Sequence, residues 1–212
     1  MVRRLIFAAL LCAALVVPAS ASANDRACGL ITTAQLKQAL GGSNYGFVRD
    51  LTARSSRNNA SGALHSVCNG YVWSGAKPAS RQAALAALHA GKASLFAIDT
   101  WRPDPKSRSA KTWIKTQFPL LVKNADGLAV LPDLPSVSKS HARTFAPKSY
   151  GLGAKGFLAN PLPGVLAGAA MWSKPSSASA VFVTIGAGSS RPVPKELNQL
   201  GGLLVGAFGM KG

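Results

Sequence analysis

Hydrophobic positions fall into three spacings along this chain, and each spacing predicts a different element. The first is an unbroken apolar run, Leu5 to Val17, preceded by Arg3 and Arg4, broken by Pro18 and followed by Ala21-Ser22-Ala23. A basic pair, a short apolar core and a small-residue cleavage site describe a secretory signal peptide. The run is too short for a spanning helix, which needs about 20 apolar residues. The expected organisation is a leader over 1–23 and a single exported domain over 24–212, a length that suits one hydrophobic core. No later apolar stretch is long enough to span a bilayer.

The second spacing is helical. Leu36 and Leu40 lie one turn apart behind Thr32 or Thr33, either of which suits an N-cap, and Gly41-Gly42 stops that helix. The Ala- and Leu-rich segment Ser80 to His89 leans helical and ends at Gly91. Ser107 to Gln117 places Ala110, Trp113 and Ile114 on one face and Arg108, Lys111 and Lys115 on another, with Pro119 as its limit. Pro192 to Phe208 closes the chain as a helix with Leu197, Leu200 and Leu204 on one side.

The third spacing is that of strands. Tyr45 to Ala53 and Ala63 to Trp73 flank the polar, turn-forming loop Arg54 to Gly62. Lys92 to Trp101 reads as a buried strand ended by Pro103 and Pro105. The segment beginning Gly-Leu-Ala-Val-Leu-Pro at Gly127 and running to Tyr150 reads as strand and loop. Val165 to Lys174 and Ser179 to Gly188 form an apolar hairpin that belongs near the centre of a sheet. Hairpins mixed with helices predict an α+β fold: one antiparallel sheet of hairpins with packed helices.

Cysteine usage adds a staple. Without Cys12 of the leader, Cys28 and Cys68 remain, and two cysteines in an exported chain are expected to pair. The bridge would tie the first helix to the first hairpin.

Charge adds a partner. The formal net charge is +17, with 24 Lys and Arg against 7 Asp and Glu, and loss of Arg3 and Arg4 with the leader leaves +15. Such an imbalance favours polyanions, here an anionic envelope polymer or an anionic lipid surface. The densest cationic stretch is WRPDPKSRSAKTWIK, Trp101 to Lys115, carrying Arg102, Lys106, Arg108, Lys111 and Lys115. Cations beside an aromatic side chain can hold sulfate, phosphate or carboxylate groups. Trp73, Trp113 and Trp172 read as core. Export and the absence of a recognition motif argue against a specific nucleic-acid role.

Little in the sequence points to catalysis. GLGAKG, Gly151 to Gly156, matches G-x-G-x-x-G, but Pro161 and Pro163 follow where a helix should open, and no acid stands near the required distance. It reads as a glycine-rich turn. His65, His89 and His141 have no metal-ligand spacing, there is no G-x-S-x-G elbow, and the acids show no paired spacing. Asp99, beside Trp101 at a strand end, is the acid most worth following. No enzyme activity, metal or cofactor is expected.

The opening C-G-L-I-T-T-A-Q-L at Cys28, the later C-N-G-Y-V-W at Cys68, and G-L-G-A-K-G-F ahead of the last hairpin resemble small exported proteins, often lipoproteins, of actinobacteria. That group is marked by a Cys-x-Leu-[Leu/Ile]-Thr-x-Ala opening and a later Cys-x-Trp. This chain departs from it in having Arg26-Ala27 before the first Cys, where Asp-Pro is usual. Its Cys-to-Trp gap is also longer, and it has no lipidation site. The resemblance implies a disulfide and a cell-envelope or secreted location, and no particular chemistry. The expected function is that of a secreted, non-enzymatic envelope protein binding an anionic partner. The alternatives are a secreted hydrolase with a spatially assembled site, or a structural or sensor partner of another envelope protein.

Overall fold

The computed structural model describes residues 27–40, 45–50, 55–58, 62–75, 78–124 and 142–210. The expected leader, the Gly41-Gly42 stop, His141 and residues 127–141 of the segment read as strand and loop lie outside them; the rest of that segment holds a short strand, Arg143–Phe145, and loop.

The elements run β1 (Tyr45–Asp50), β2 (Ser55–Asn58), β3 (Ala63–Ser74), β4 (Ala93–Pro103), β5 (Arg143–Phe145), β6 (Gly153–Leu162), β7 (Val165–Lys174) and β8 (Ser179–Gly188). The helices are α1 (Thr33–Ala39), α2 (Arg81–His89), α3 (Ala110–Thr112), α4 (Phe118–Lys123) and α5 (Val193–Ala207), with a π turn over Trp113–Gln117 between α3 and α4. All eight strands join one antiparallel sheet in the order β1-β3-β4-β8-β7-β6-β5, and β2 pairs with β3 beside β1. The sheet is two meanders, β1 to β4 and β5 to β8, sewn together along β4 and β8. That seam puts the apolar β7–β8 hairpin in the interior, as its composition requires.

The α+β fold with a single sheet and packed helices is thus present, and Cys28 and Cys68 are bridged. Cys28 sits in a 3-10 turn ahead of α1, and Cys68 sits in β3. Thr32 is the N-cap of α1: its hydroxyl accepts from the Gln35 N–H while the Gln35 side chain accepts from the Thr32 N–H.

Strand alternation divides the core. One face packs Cys68, Phe96, Ile98, Trp172, Val181, Val183 and Ile185 against α1 and α5. The other face is covered at one end by α2, where Leu88 meets Leu95, Ala97 and Val165. At its other end Trp113 and Phe118 meet Trp101, Ala180 and Phe182.

Two elements differ from expectation. Ser55–Asn58, inside a stretch that reads as loop, is a strand. An outer strand needs only backbone bonds to its neighbour, and its polar composition carries no strand signal. The second difference is the π turn. Pro119 does not end the helix. The Phe118 N–H bonds to the Trp113 carbonyl five residues back, and Pro119 falls in the first turn of α4, where no N–H is needed.

Gly201 makes room for the largest core side chain. A Cβ there would overlap Cη2 and Cζ2 of Trp172, a fully buried ring whose indole N–H donates to the Lys148 carbonyl at 2.8 Å. In an open helix Gly→Ala would gain about 1 kcal/mol. Here overpacking should outweigh that gain, and Gly201→Ala is expected to destabilise by about 2 kcal/mol in thermal unfolding. A rise in melting temperature would show that the ring can move aside.

Candidate functional site

The cationic segment is built on the end of β4 and the turn that follows. Alternation along β4 sends Trp101 and Arg102 to opposite faces. Trp101 joins the cluster under α3 and α4, whereas the Arg102 guanidinium lies 6.0 Å from the centre of the Phe208 ring, beyond α5. The structure therefore separates Arg102 from the other four cations.

Those four are held by an ordered turn. Asp104, 1% exposed, accepts the Lys106 N–H on its carboxylate at 3.0 Å, and its own N–H bonds to the Gly62 carbonyl at 2.9 Å. Ser107 accepts the Ser109 N–H on its hydroxyl at 3.2 Å and the Ala110 N–H on its carbonyl at 3.1 Å. The chain then enters α3 with Lys106, Arg108, Lys111 and Lys115 all exposed. None of the four pairs with a carboxylate among the described residues. Trp113 is buried beneath them as expected, but Ile114, expected on the same inward face, is exposed. In the π turn, residues five apart stack, so Trp113 shares the buried side with Phe118 and Ile114 is rotated outward.

The described carboxylates are engaged elsewhere. Of those whose side chains are described, Asp104 is buried in its turn, Glu196 is buried against Arg191, and Asp99 is half-buried against His65. Every one is consumed inside the fold.

The second constellation is the Asp99 region. His65 and Trp101 are opposite each other in β3 and β4, and their rings stack at 3.7 Å between centroids and 12° between planes. The His65 Nε2–H donates to Asp99 Oδ1 at 2.9 Å. The arrangement orients an imidazole and leaves Nδ1 as its remaining polar atom. No described serine or threonine hydroxyl bonds to that imidazole, and neighbouring Ser66 turns to the opposite face, where it accepts the Ala27 N–H at 2.8 Å. His89 is exposed at the end of α2 and pairs with no carboxylate among the described residues. The pairing of His65 with Asp99 spans 34 residues and depends on strand register, which composition does not reveal.

GLGAKG runs from a turn into a strand, the reverse of a dinucleotide fingerprint. Gly151 holds the turn at φ +79°, and Gly153 to Gly156 already belong to β6. A Cβ on Gly156 would meet the Phe145 ring at 2.5 Å, so the last glycine serves contact between β5 and β6. A cleft of about 220 Å³ lies beside the disulfide, lined by Ile31, Thr32, Thr33 and Leu36. It is smaller than the ~300 Å³ at which small-molecule sites begin.

No family profile matches the chain, and no curated protein is similar to it in sequence. Among solved structures it is similar to a point mutant of the protein Mog1, at 13% identity and a TM-score of 0.31, over 78% of this chain and 85% of that one. A score at that level carries no inference about fold or function. No helix among the described residues is long and apolar enough to cross a membrane.

Proposed function

We propose that this protein is an exported, non-enzymatic module of the cell envelope that binds an anionic partner through the surface of Lys106, Arg108, Lys111 and Lys115. One observation carries the reading: the described carboxylates are drawn inward while these four cations stand exposed on one ordered turn and helix. No carboxylate among the described side chains opposes the field they leave, and such a field suits a polyanion. The signal-peptide pattern and the disulfide support an oxidising location outside the cytoplasm. Arg102 drops out of the proposed surface because it faces α5. The hydrolase reading has the His65–Asp99 pair in its favour, but that pair lacks a nucleophile among the described residues.

The test is retention of the oxidised mature protein on an anionic polymer over a salt series. Binding should be firm at low salt and fall as screening rises. Lys111→Glu with Lys115→Glu should weaken it by about tenfold or more at low salt. An unchanged elution position would move the surface elsewhere, and a parent protein indifferent to the polymer would overturn the reading.

A further inference from the structure

The segment from Ala110 to Lys123 carries both of the large hydrophobic side chains that stand exposed among the described residues, Ile114 at 40% and Leu120 at 48%. Their neighbours follow from the helix geometry. Lys111 lies three and four residues before Ile114 and Lys115, one α-helical turn away. Leu120, in α4, lies five residues after Lys115, and the residue that the π turn over Trp113–Gln117 adds to the ladder brings the two to the same side. Lys123 lies three residues beyond Leu120. All five are exposed, so the outer stripe alternates cation, apolar, cation, apolar, cation. Beneath it Trp113 and Phe118 are locked into the sheet cluster, and the Lys155 ammonium donates to the Val122 carbonyl at 3.0 Å. The stripe is therefore a fixed platform rather than a loose arm.

We propose that this stripe is an interfacial docking element that seats the protein on an anionic lipid bilayer. The lysines meet the phosphates of the headgroups, and Ile114 and Leu120 enter the boundary with the acyl chains. This rests on the anionic-partner reading and narrows it. A water-soluble polyanion would use the lysines and leave both apolar side chains in water. An uncharged apolar protein surface would cover the side chains and strand the lysines. A bilayer of anionic lipid satisfies both at once, in the manner of an amphipathic helix lying in the interface plane.

The experiment compares sedimentation of the oxidised mature chain with vesicles of phosphatidylcholine alone and of phosphatidylcholine with one third phosphatidylglycerol. Retention on a soluble anionic polymer is measured in parallel. The chain should bind the anionic vesicles and pass the zwitterionic ones. Ile114→Ser with Leu120→Ser should weaken vesicle binding by about tenfold. It should leave polymer retention and melting temperature unchanged, because both side chains lie outside the core. A double variant that binds vesicles as the parent does would overturn the docking proposal, leaving electrostatic adsorption. A parent retained on polymer but not on anionic vesicles would overturn it while sparing the anionic-partner reading. A parent retained on neither would overturn both.

Discussion

Replacing Cys28 and Cys68 by alanine is expected to lower stability by about 4 kcal/mol, the cost of releasing a loop of this length in the chain-entropy model. The bridge spans 40 residues, and the closed segment includes α1, β1, β2 and the first half of β3. For a domain of this size that loss corresponds to a fall in melting temperature of roughly 8–16 °C. Both sulfurs are buried, so the change also removes packing between the 3-10 turn and β3. Other anchors hold the same region: the Ala27 N–H bonds to the Ser66 hydroxyl at 2.8 Å, and Leu36, Ala39 and Leu40 are buried against the sheet core. Thermal unfolding of the oxidised parent and the double variant separates these contributions. A fall of only a few degrees would assign the anchoring to Leu36, Leu40 and the Ser66 bond, with the disulfide secondary.

How far this fold could be read in advance depends on whether its information is local. The α1 cap, the β7–β8 hairpin and α5 were legible because capping chemistry, alternating apolar runs and i, i+4 leucines act within one element. The cysteine pair was legible because elimination left no other partner. β2 was not, because Ser55 to Asn58 is made a strand by its neighbour β3. The outward turn of Ile114 is not legible, because a period of 3.6 residues puts it beside Trp113 and no local pattern marks the π turn over Trp113–Gln117. Grouping Arg102 with Lys111 followed closeness in sequence. The two-residue period of a strand separates Trp101 from Arg102, so their divergence is legible in the sequence. The His65–Asp99 pair had no local signal, since it exists only when β3 and β4 take their register.

Removing the Arg191 side chain is expected to cost about 3–5 kcal/mol at neutral pH, because it leaves a buried carboxylate uncompensated. Glu196 is 2% exposed, and its Oε1 accepts from Arg191 Nε at 2.9 Å and from Nη2 at 2.5 Å. Nη2 also donates to the Leu40 carbonyl at the end of α1, so one guanidinium joins α1, the β8–α5 connection and α5. Burial raises the Glu196 pKa above its usual value, and the attraction and hydrogen bond of Arg191 offset only part of that rise. A carboxyl whose folded pKa lies above its unfolded value contributes stability fully below the unfolded value. That contribution is lost as pH rises through the folded one. Arg191→Ala removes the offset and raises the folded pKa further. The deficit relative to the parent should therefore be largest at neutral pH and shrink on acidification, as Glu196 takes a proton and the uncompensated charge disappears. Replacing both partners, Arg191→Met with Glu196→Leu, should restore most of the loss, since no buried charge remains. A deficit that stays constant with pH, or a double variant as weak as the single, would place the role of Arg191 in its bond to Leu40 rather than in compensating Glu196.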